Sequence, residues 1–259
     1  MRASFFTHRG AIRTENQDAL CIAGTVRAGD MARCDVAEAK ESPSLFAVVD
    51  GMGGYNGGQA AARILARTLA GASGKKLFGG EFNPDRDREI LRGLFASAAS
   101  AIASEARSSP QLAEMGAAVA GILLRDAGAM AFNCGDCRTY RLSLGEMERV
   151  THDHSIVQEL CDAGEIDEEG MRAHSMKNIM TSAVTGKEGE VPELFSRAIS
   201  RVRGDSYFIC SDGVWETLAA PQLRDFLNGP FPESADAMKE ALWEMGCRDN
   251  VSFIWLAPK

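Results

Sequence analysis

The short apolar runs of this chain end in aspartate, and that punctuation limits what it can fold into. Leu45-Phe46-Ala47-Val48-Val49 runs into Asp50-Gly51, and Tyr207-Phe208-Ile209-Cys210 reaches Asp212-Gly213 through Ser211. Asp249-Asn250 opens the last run, Val251 to Leu256, and Asp18 precedes Ala19-Leu20-Cys21-Ile22. Runs of this length, bounded by turn residues, read as buried strands. A strand end is a rigid mount, so a carboxylate there is held in place. Several carboxylates at one sheet edge repel each other unless a cation lies between them. Oxygen ligands for hard divalent metals are the economical reading. An Asp-Gly at a strand end is also ordinary turn chemistry, so each aspartate alone is weak evidence.

With 259 residues, 45% of them hydrophobic, the chain can bury the core of one large domain or two small ones. It lacks an apolar stretch of membrane-spanning length and a signal-peptide h-region, so a soluble cytoplasmic protein is expected. A net charge of −8, with no basic cluster beyond Lys75-Lys76, argues against a nucleic-acid surface. Seven cysteines without framework spacing fit reduced thiols. Cys134 and Cys137 form a C-x-x-C that is half a zinc site at most.

The N-terminal third reads strand, loop, strand, then helices, with residues 30–44 as a polar connection. Met52 to Gly58 is too glycine-rich for regular structure. Helical spacing returns from Gln59 to Leu69, and Pro84 to Ser108 reads as a longer helix opened by Asn83-Pro84-Asp85. Ala117–Leu124, Ala129–Cys134 and Thr139–Leu144 are short strands. Residues 155–190 open with a helix near Ile156–Cys161 and continue as acidic loop, either a flap beside a site or a surface excursion. Two helices, about 221–227 and 233–245, precede the last strand. Strands segregated from helix pairs predict an α+β fold, a β-sandwich of two antiparallel sheets flanked by helix pairs in four layers, αββα.

Six segments in order then carry a resemblance. Arg13-x-x-Asn16-Gln17-Asp18, Asp50-Gly51-Met52-Gly53-Gly54, Gly135-Asp136-Cys137-Arg138, Thr151-His152-Asp153-His154-Ser155, Ser211-Asp212-Gly213-Val214-Trp215 and Asp249-Asn250 resemble the signature motifs of the metal-dependent protein phosphatases of the PPM, or type 2C, family. The likeness covers nearly the whole chain, read as one catalytic domain over residues 1–259 with a flap at about 155–190. It implies a bacterial stand-alone serine/threonine phosphatase that hydrolyses phosphate monoesters with a metal-activated water. The implied cofactors are two divalent ions, Mn²⁺ or Mg²⁺. Asp50 would bridge them, the Gly51 carbonyl would ligate one, and Asp212 and Asp249 would ligate the other. Asp18 would act through water, and Asp136 with Asp212 would form a weaker third site. Arg13 would grip the substrate phosphate with its planar fork. The implied partners are phosphoproteins, targets of a bacterial kinase, with no nucleic acid or membrane and the enzyme as a monomer.

The sequence departs from the family pattern near Asp50. Met52 stands where eukaryotic members place a histidine, and Tyr55 and Gln59 replace a His and a Glu of many bacterial members. No imidazole therefore sits beside the Asp50 loop to protonate a leaving group. His152 and His154 fit solvent exposure or a local hydrogen bond better than ligation, and Trp215 and Trp243 read as core anchors. Two other functions compete. A catalytically inactive relative that binds phosphoproteins would tolerate loss of a metal aspartate, yet all are present. A small-molecule phosphoesterase would share the site and differ in substrate.

Overall fold

The computed structural model describes residues 1–39, 42–54, 57–73, 76–108, 110–187 and 190–259. Two antiparallel sheets lie face to face. One runs in the order β4 (Asp35–Glu38), β1 (Arg2–His8), β13 (Val251–Ala257), β12 (Ser206–Cys210), β8 (Arg138–Ser143), β9 (Glu146–Arg149). The other runs β11 (Phe195–Ile199), β7 (Ala129–Cys134), β6 (Gly116–Leu124), β5 (Ser44–Met52), β2 (Ala19–Ile22), β3 (Thr25–Ala28). A short β10 (Val184–Thr185) pairs with the start of β6.

Side-chain alternation builds the layers. Along β5, Leu45, Ala47 and Val49 face helices α1 (Gly57–Ala72) and α2 (Pro84–Ser108), packing with Leu65, Leu69 and Phe95. Phe46 and Val48 point the other way, into the space between the sheets, where they meet Ile209 and Ile254. On the far sheet, Phe208 and Trp255 pack under α6 (Ala220–Leu227) and α7 (Glu233–Glu244) with Leu223, Met238 and Leu242. Successive residues of a strand point to opposite faces, so one strand feeds two cores. The result is the four-layer αββα sandwich. Among the described residues no helix is long and apolar enough to cross a membrane.

Four edge strands, besides the two-residue β10, escape a reading from sequence. β3 and β4 are mostly exposed and β9 and β11 are part-exposed, so the apolar run that marks a central strand is missing from them. They sit at or next to sheet edges, where polar side chains guard unpaired backbone. β4 thus corrects the reading of 30–44 as connection throughout. The glycine-rich run is also more regular than expected. β5 continues to Met52 and α1 begins at Gly57. A Cβ on Gly51 would lie 2.1 Å from the Gly58 carbonyl oxygen, so strand end and helix start touch backbone to backbone. The acidic stretch after Asp162 holds a second short helix, α4 (Glu168–Ala173), which follows α3 (Ile156–Asp162). Asp167 caps α4 by accepting from the Gly170 amide at 2.8 Å, and a single buried residue, Met171, was too little periodicity to reveal it.

Cys134 packs on the helix side of its sheet and Cys137 in the space between the sheets, so the C-x-x-C does not converge. One buried ion pair ties α2 to the end of β6. Arg125 reaches Asp87 at 2.7 Å and also donates to the Gly80 and Glu81 carbonyls. Removing one partner leaves the other charge buried and unpaired. Asp87→Ala should therefore cost about 3–5 kcal/mol of stability, whereas Asp85→Ala on the exposed face should cost under about 1 kcal/mol. Urea midpoints at fixed slope would measure both.

Candidate metal centre

The alternation that builds the core also aims the aspartates. Asp50 shares the parity of Phe46 and Val48, so it points between the sheets at the strand's end. Asp18 precedes Leu20 and Ile22, both inward-facing, by the same period. Asp212 opens the short helix α5 (Asp212–Trp215) directly after β12, and Asp249 lies two residues before β13. Asp136 sits in the tight turn between β7 and β8. Antiparallel pairing brings these ends to one rim: Ala19 pairs with Val49, Asp50 with Ala118, Val119 with Cys134 and Cys210 with Phe253. A cavity of about 530 Å³ opens there, lined by Asp50, Asp136, Asp212, Asp249, Arg13 and the Gly51–Gly54 turn among others.

A hydrogen-bonded frame holds that rim. Asn250 accepts from the Gln17 amide at 2.8 Å and donates to the Arg9 and Glu15 carbonyls at 3.1 and 2.9 Å. It thereby fastens the loop that carries Arg13 to the start of β13. Gly10, at φ +78, lets the same loop lie against the Asp249 backbone, where a Cβ would approach its carbonyl oxygen to 2.0 Å. Ser211 donates to Asp18 at 3.1 Å, Ser252 donates to Thr7 at 2.8 Å, and Asn16 donates to Thr7 at 2.9 Å. The Asp136 turn is braced separately. Trp215 donates to the Asp136 carbonyl at 3.0 Å, and Arg138 stacks 3.6 Å over the Trp215 ring while bonding Asp153 at 2.7 Å. The His154 Nδ1 accepts from the Gly135 amide at 3.1 Å.

The electrostatics of the site are unfavourable as they stand. Burial, followed by the charges of neighbouring carboxylates, raises both Asp50 and Asp212 well above the ordinary carboxylate range. Burial is also the main reason Asp18 and Asp136 are each pushed up to about 7. Asp18 Oδ1 is buried without a hydrogen-bond partner. Arg13 is the one cationic side chain among the described residues lining the cavity, and it donates to Asp249 through Nε at 2.9 Å and Nη2 at 2.6 Å. That contact is the first cause of the raised Arg13 pKa. An all-oxygen donor set, an orphaned carboxylate oxygen and uncompensated charge fit hard divalent cations. Among the described residues no three acidic, His or Cys side chains already converge on one point. Asp249 is turned onto Arg13, whose guanidinium supplies the positive charge there.

The structure thus brings Asp50, Gly51, Asp136, Asp212, Asp249 and Arg13 to one cavity, with Asp18 buried beneath it. Arg13 is found on Asp249. Asn250, Ser211, Ser252 and Asn16 form the supporting frame. All but Ser252 stand inside the quoted motifs, yet the partners of Asn250, Ser211 and Ser252 lie far along the chain and carry no local signal. His154 makes the local hydrogen bond expected of it, and His152 pairs with Asp162 at 2.9 Å. Trp215 is buried, as a core anchor should be. No histidine is among the described residues lining the cavity. Tyr55, singled out as a departure, lies outside the described residues.

Residues 30–245 match the family model for protein phosphatase 2C. The serine/threonine protein phosphatase PstP of Mycobacterium tuberculosis is 31% identical over 98% of this chain and 44% of its own length. The serine/threonine phosphatase stp of Listeria welshimeri is 28% identical over 98% of this chain and 94% of its own. A solved catalytic domain of PstP in complex with 2 manganese ions superposes with a TM-score of 0.77 at 26% identity, covering 100% of both chains. The chain belongs to the protein phosphatase 2C family and carries that family's metal-dependent phosphatase domain. It spans less than half the length of the mycobacterial relative and nearly all of the Listeria one.

A site that repels itself when empty should be stabilised by losing a charge. Asp50→Asn should raise the metal-free melting temperature, by about 1–2 kcal/mol of relieved repulsion. It should also remove the further rise that excess Mn²⁺ gives the wild type, about 2.7 kcal/mol at a hundredfold excess over Kd. Thermal unfolding with chelator and with Mn²⁺ reads both effects.

Proposed function

We propose that the whole protein is a metal-dependent serine/threonine phosphoprotein phosphatase. The observation that supports this most directly is the set of buried and half-buried aspartates lining a cavity whose one cation, among the described residues, is the forked guanidinium of Arg13. Manganese in the PstP catalytic domain supports Mn²⁺, with Mg²⁺ as the alternative ion. Asp50 and the Gly51 carbonyl would hold one ion, Asp212 and Asp249 the other, and Asp136 with Asp212 a weaker third. Asp18 would order water beside them. Such ions, when bound, lower the pKa of water and neutralise phosphoryl charge.

The chain's own residues do the rest. Arg13 supplies two parallel donors that match a phosphate as well as they match Asp249. Its release from Asp249 on metal binding would free it to orient the monoester. The Asn250 frame fixes the loop on which Arg13 rides, so the base of its side chain is held relative to the aspartates. With no lining imidazole, substrates whose leaving group departs without a proton are favoured, and aryl phosphates are therefore the first to test. We read the chain as one catalytic domain with residues 155–190 as its flap, since Asn178 and Met180 from that segment form part of the cavity wall. A cytoplasmic monomer opposing a bacterial serine/threonine kinase completes the reading.

Purified protein should hydrolyse a chromogenic aryl phosphate with Mn²⁺ or Mg²⁺ and stop on chelation. Asp212→Ala should abolish turnover, at least about a thousandfold. Arg13→Ala should mainly raise KM, by about tenfold. Metal-independent hydrolysis, or an active Asp212→Ala, would sink the reading.

A further inference from the structure

The catalytic cavity does not close at Asp249. A second depression of about 560 Å³ adjoins it, and Arg13, Asn178 and Asp249 line both. Loop residues supply its outer part. Ile12 is 69% exposed and Met245 is 50% exposed, and both border this depression rather than lying scattered on the surface. Three cations line it. Arg13 is engaged by Asp249 and Lys177 by Glu216, whereas Arg248 is exposed and makes no hydrogen bond or ion pair among the described residues. An unpaired cation next to the site is a local exception in a chain of net charge −8.

We propose that this groove receives the polypeptide segment flanking the phosphoresidue of a protein substrate. Arg248 selects an acidic side chain there, and Ile12 and Met245 seat an apolar one. The inference rests on the phosphatase reading above. Continuity carries it: a phosphoresidue in the first cavity belongs to a chain that continues out of it on both sides, and the shared wall of Arg13, Asn178 and Asp249 leads one side into the groove. An extended strand advances about 3.3 Å per residue, so the groove meets side chains within a few positions of the phosphate. A small phosphoester would end inside the first cavity and leave both apolar side chains and Arg248 unused. A peptide covers the apolar pair and gives Arg248 the counter-charge it lacks.

Matched phosphothreonine peptides, with Glu or Lys placed in turn at each of four positions on either side, would test this. At one or two adjacent positions on a single side, Glu should exceed Lys about fivefold to tenfold in kcat/KM, chiefly through KM. Arg248→Glu should invert that preference while leaving aryl phosphate hydrolysis unchanged. The double variant Ile12→Ser, Met245→Ser should lose about fivefold on peptides with an apolar neighbour and nothing on aryl phosphate. Equal Glu and Lys series, or a preference unmoved by Arg248→Glu in protein with normal aryl phosphate turnover, would overturn the groove assignment. Absence of any hydrolysis would overturn the phosphatase reading alone. The same peptides followed by fluorescence anisotropy on that unreacting protein would still show, or fail to show, the charge preference.

Discussion

Mutual repulsion among carboxylates sunk into the rim of a β-sandwich is the constraint around which this molecule is arranged. Asp18 and Asp136 are buried, Asp50 and Asp212 are partly so, and all four are raised towards neutrality by burial first. Such charges cannot be placed by a soft loop, because the chain would relax and separate them. Asp18 and Asp50 are placed by strand ends whose directions are set by apolar packing several residues away, Asp136 by a tight turn braced on Trp215, and Asp212 by the helix start that follows β12. Phe46 and Val48 fix the direction of Asp50, and Leu20 and Ile22 fix that of Asp18. Core and site are thus one construction: the inward residues of a strand bury hydrocarbon along its length and a carboxylate at its tip.

The frame around the rim explains why polar residues are tolerated so deep. Thr7, Asn16, Ser211 and Ser252 bond mainly to one another and to Asp18, and Asn250 closes the Arg13 loop with three backbone partners. A satisfied network of this kind resists collapse because breaking any member strands another. One oxygen, Asp18 Oδ1, is left over.

Much of this was legible because the central strands are buried on both faces. β5, β6, β7, β12 and β13 are near-continuous apolar runs, and their terminal aspartates stand out against them. The peripheral strands β3, β4, β9 and β11 were not legible, since exposure replaces the apolar pattern with polar residues. α4 is stabilised by a cap and one buried methionine, a signal below what periodicity detects. Within the site the aspartates that the cavity gathers could be read, because strand and turn chemistry mark them locally. The role of Asn250 could not, because its partners Arg9, Glu15 and Gln17 lie more than two hundred residues away. Nor could the engagement of Arg13 with Asp249, which depends on the fold bringing two distant loops together.

On the metal-ligand role proposed for Asp249, that engagement is what an arriving ion would have to displace. Without a divalent ion, Asp249 has Arg13 as its cation, and the fork is occupied. A divalent ion carries twice the charge of a guanidinium, so at Asp249 it would compete for the carboxylate on favourable terms. A displaced fork would stay on the loop that the Asn250 frame fastens, beside the cavity. With Arg13 in its proposed phosphate-binding role, phosphate affinity and metal occupancy would be coupled through one side chain, each favouring the other by linkage. The exposed position of Arg13, with over half of its side-chain surface accessible, keeps the cost of the exchange small, because water solvates the guanidinium between partners.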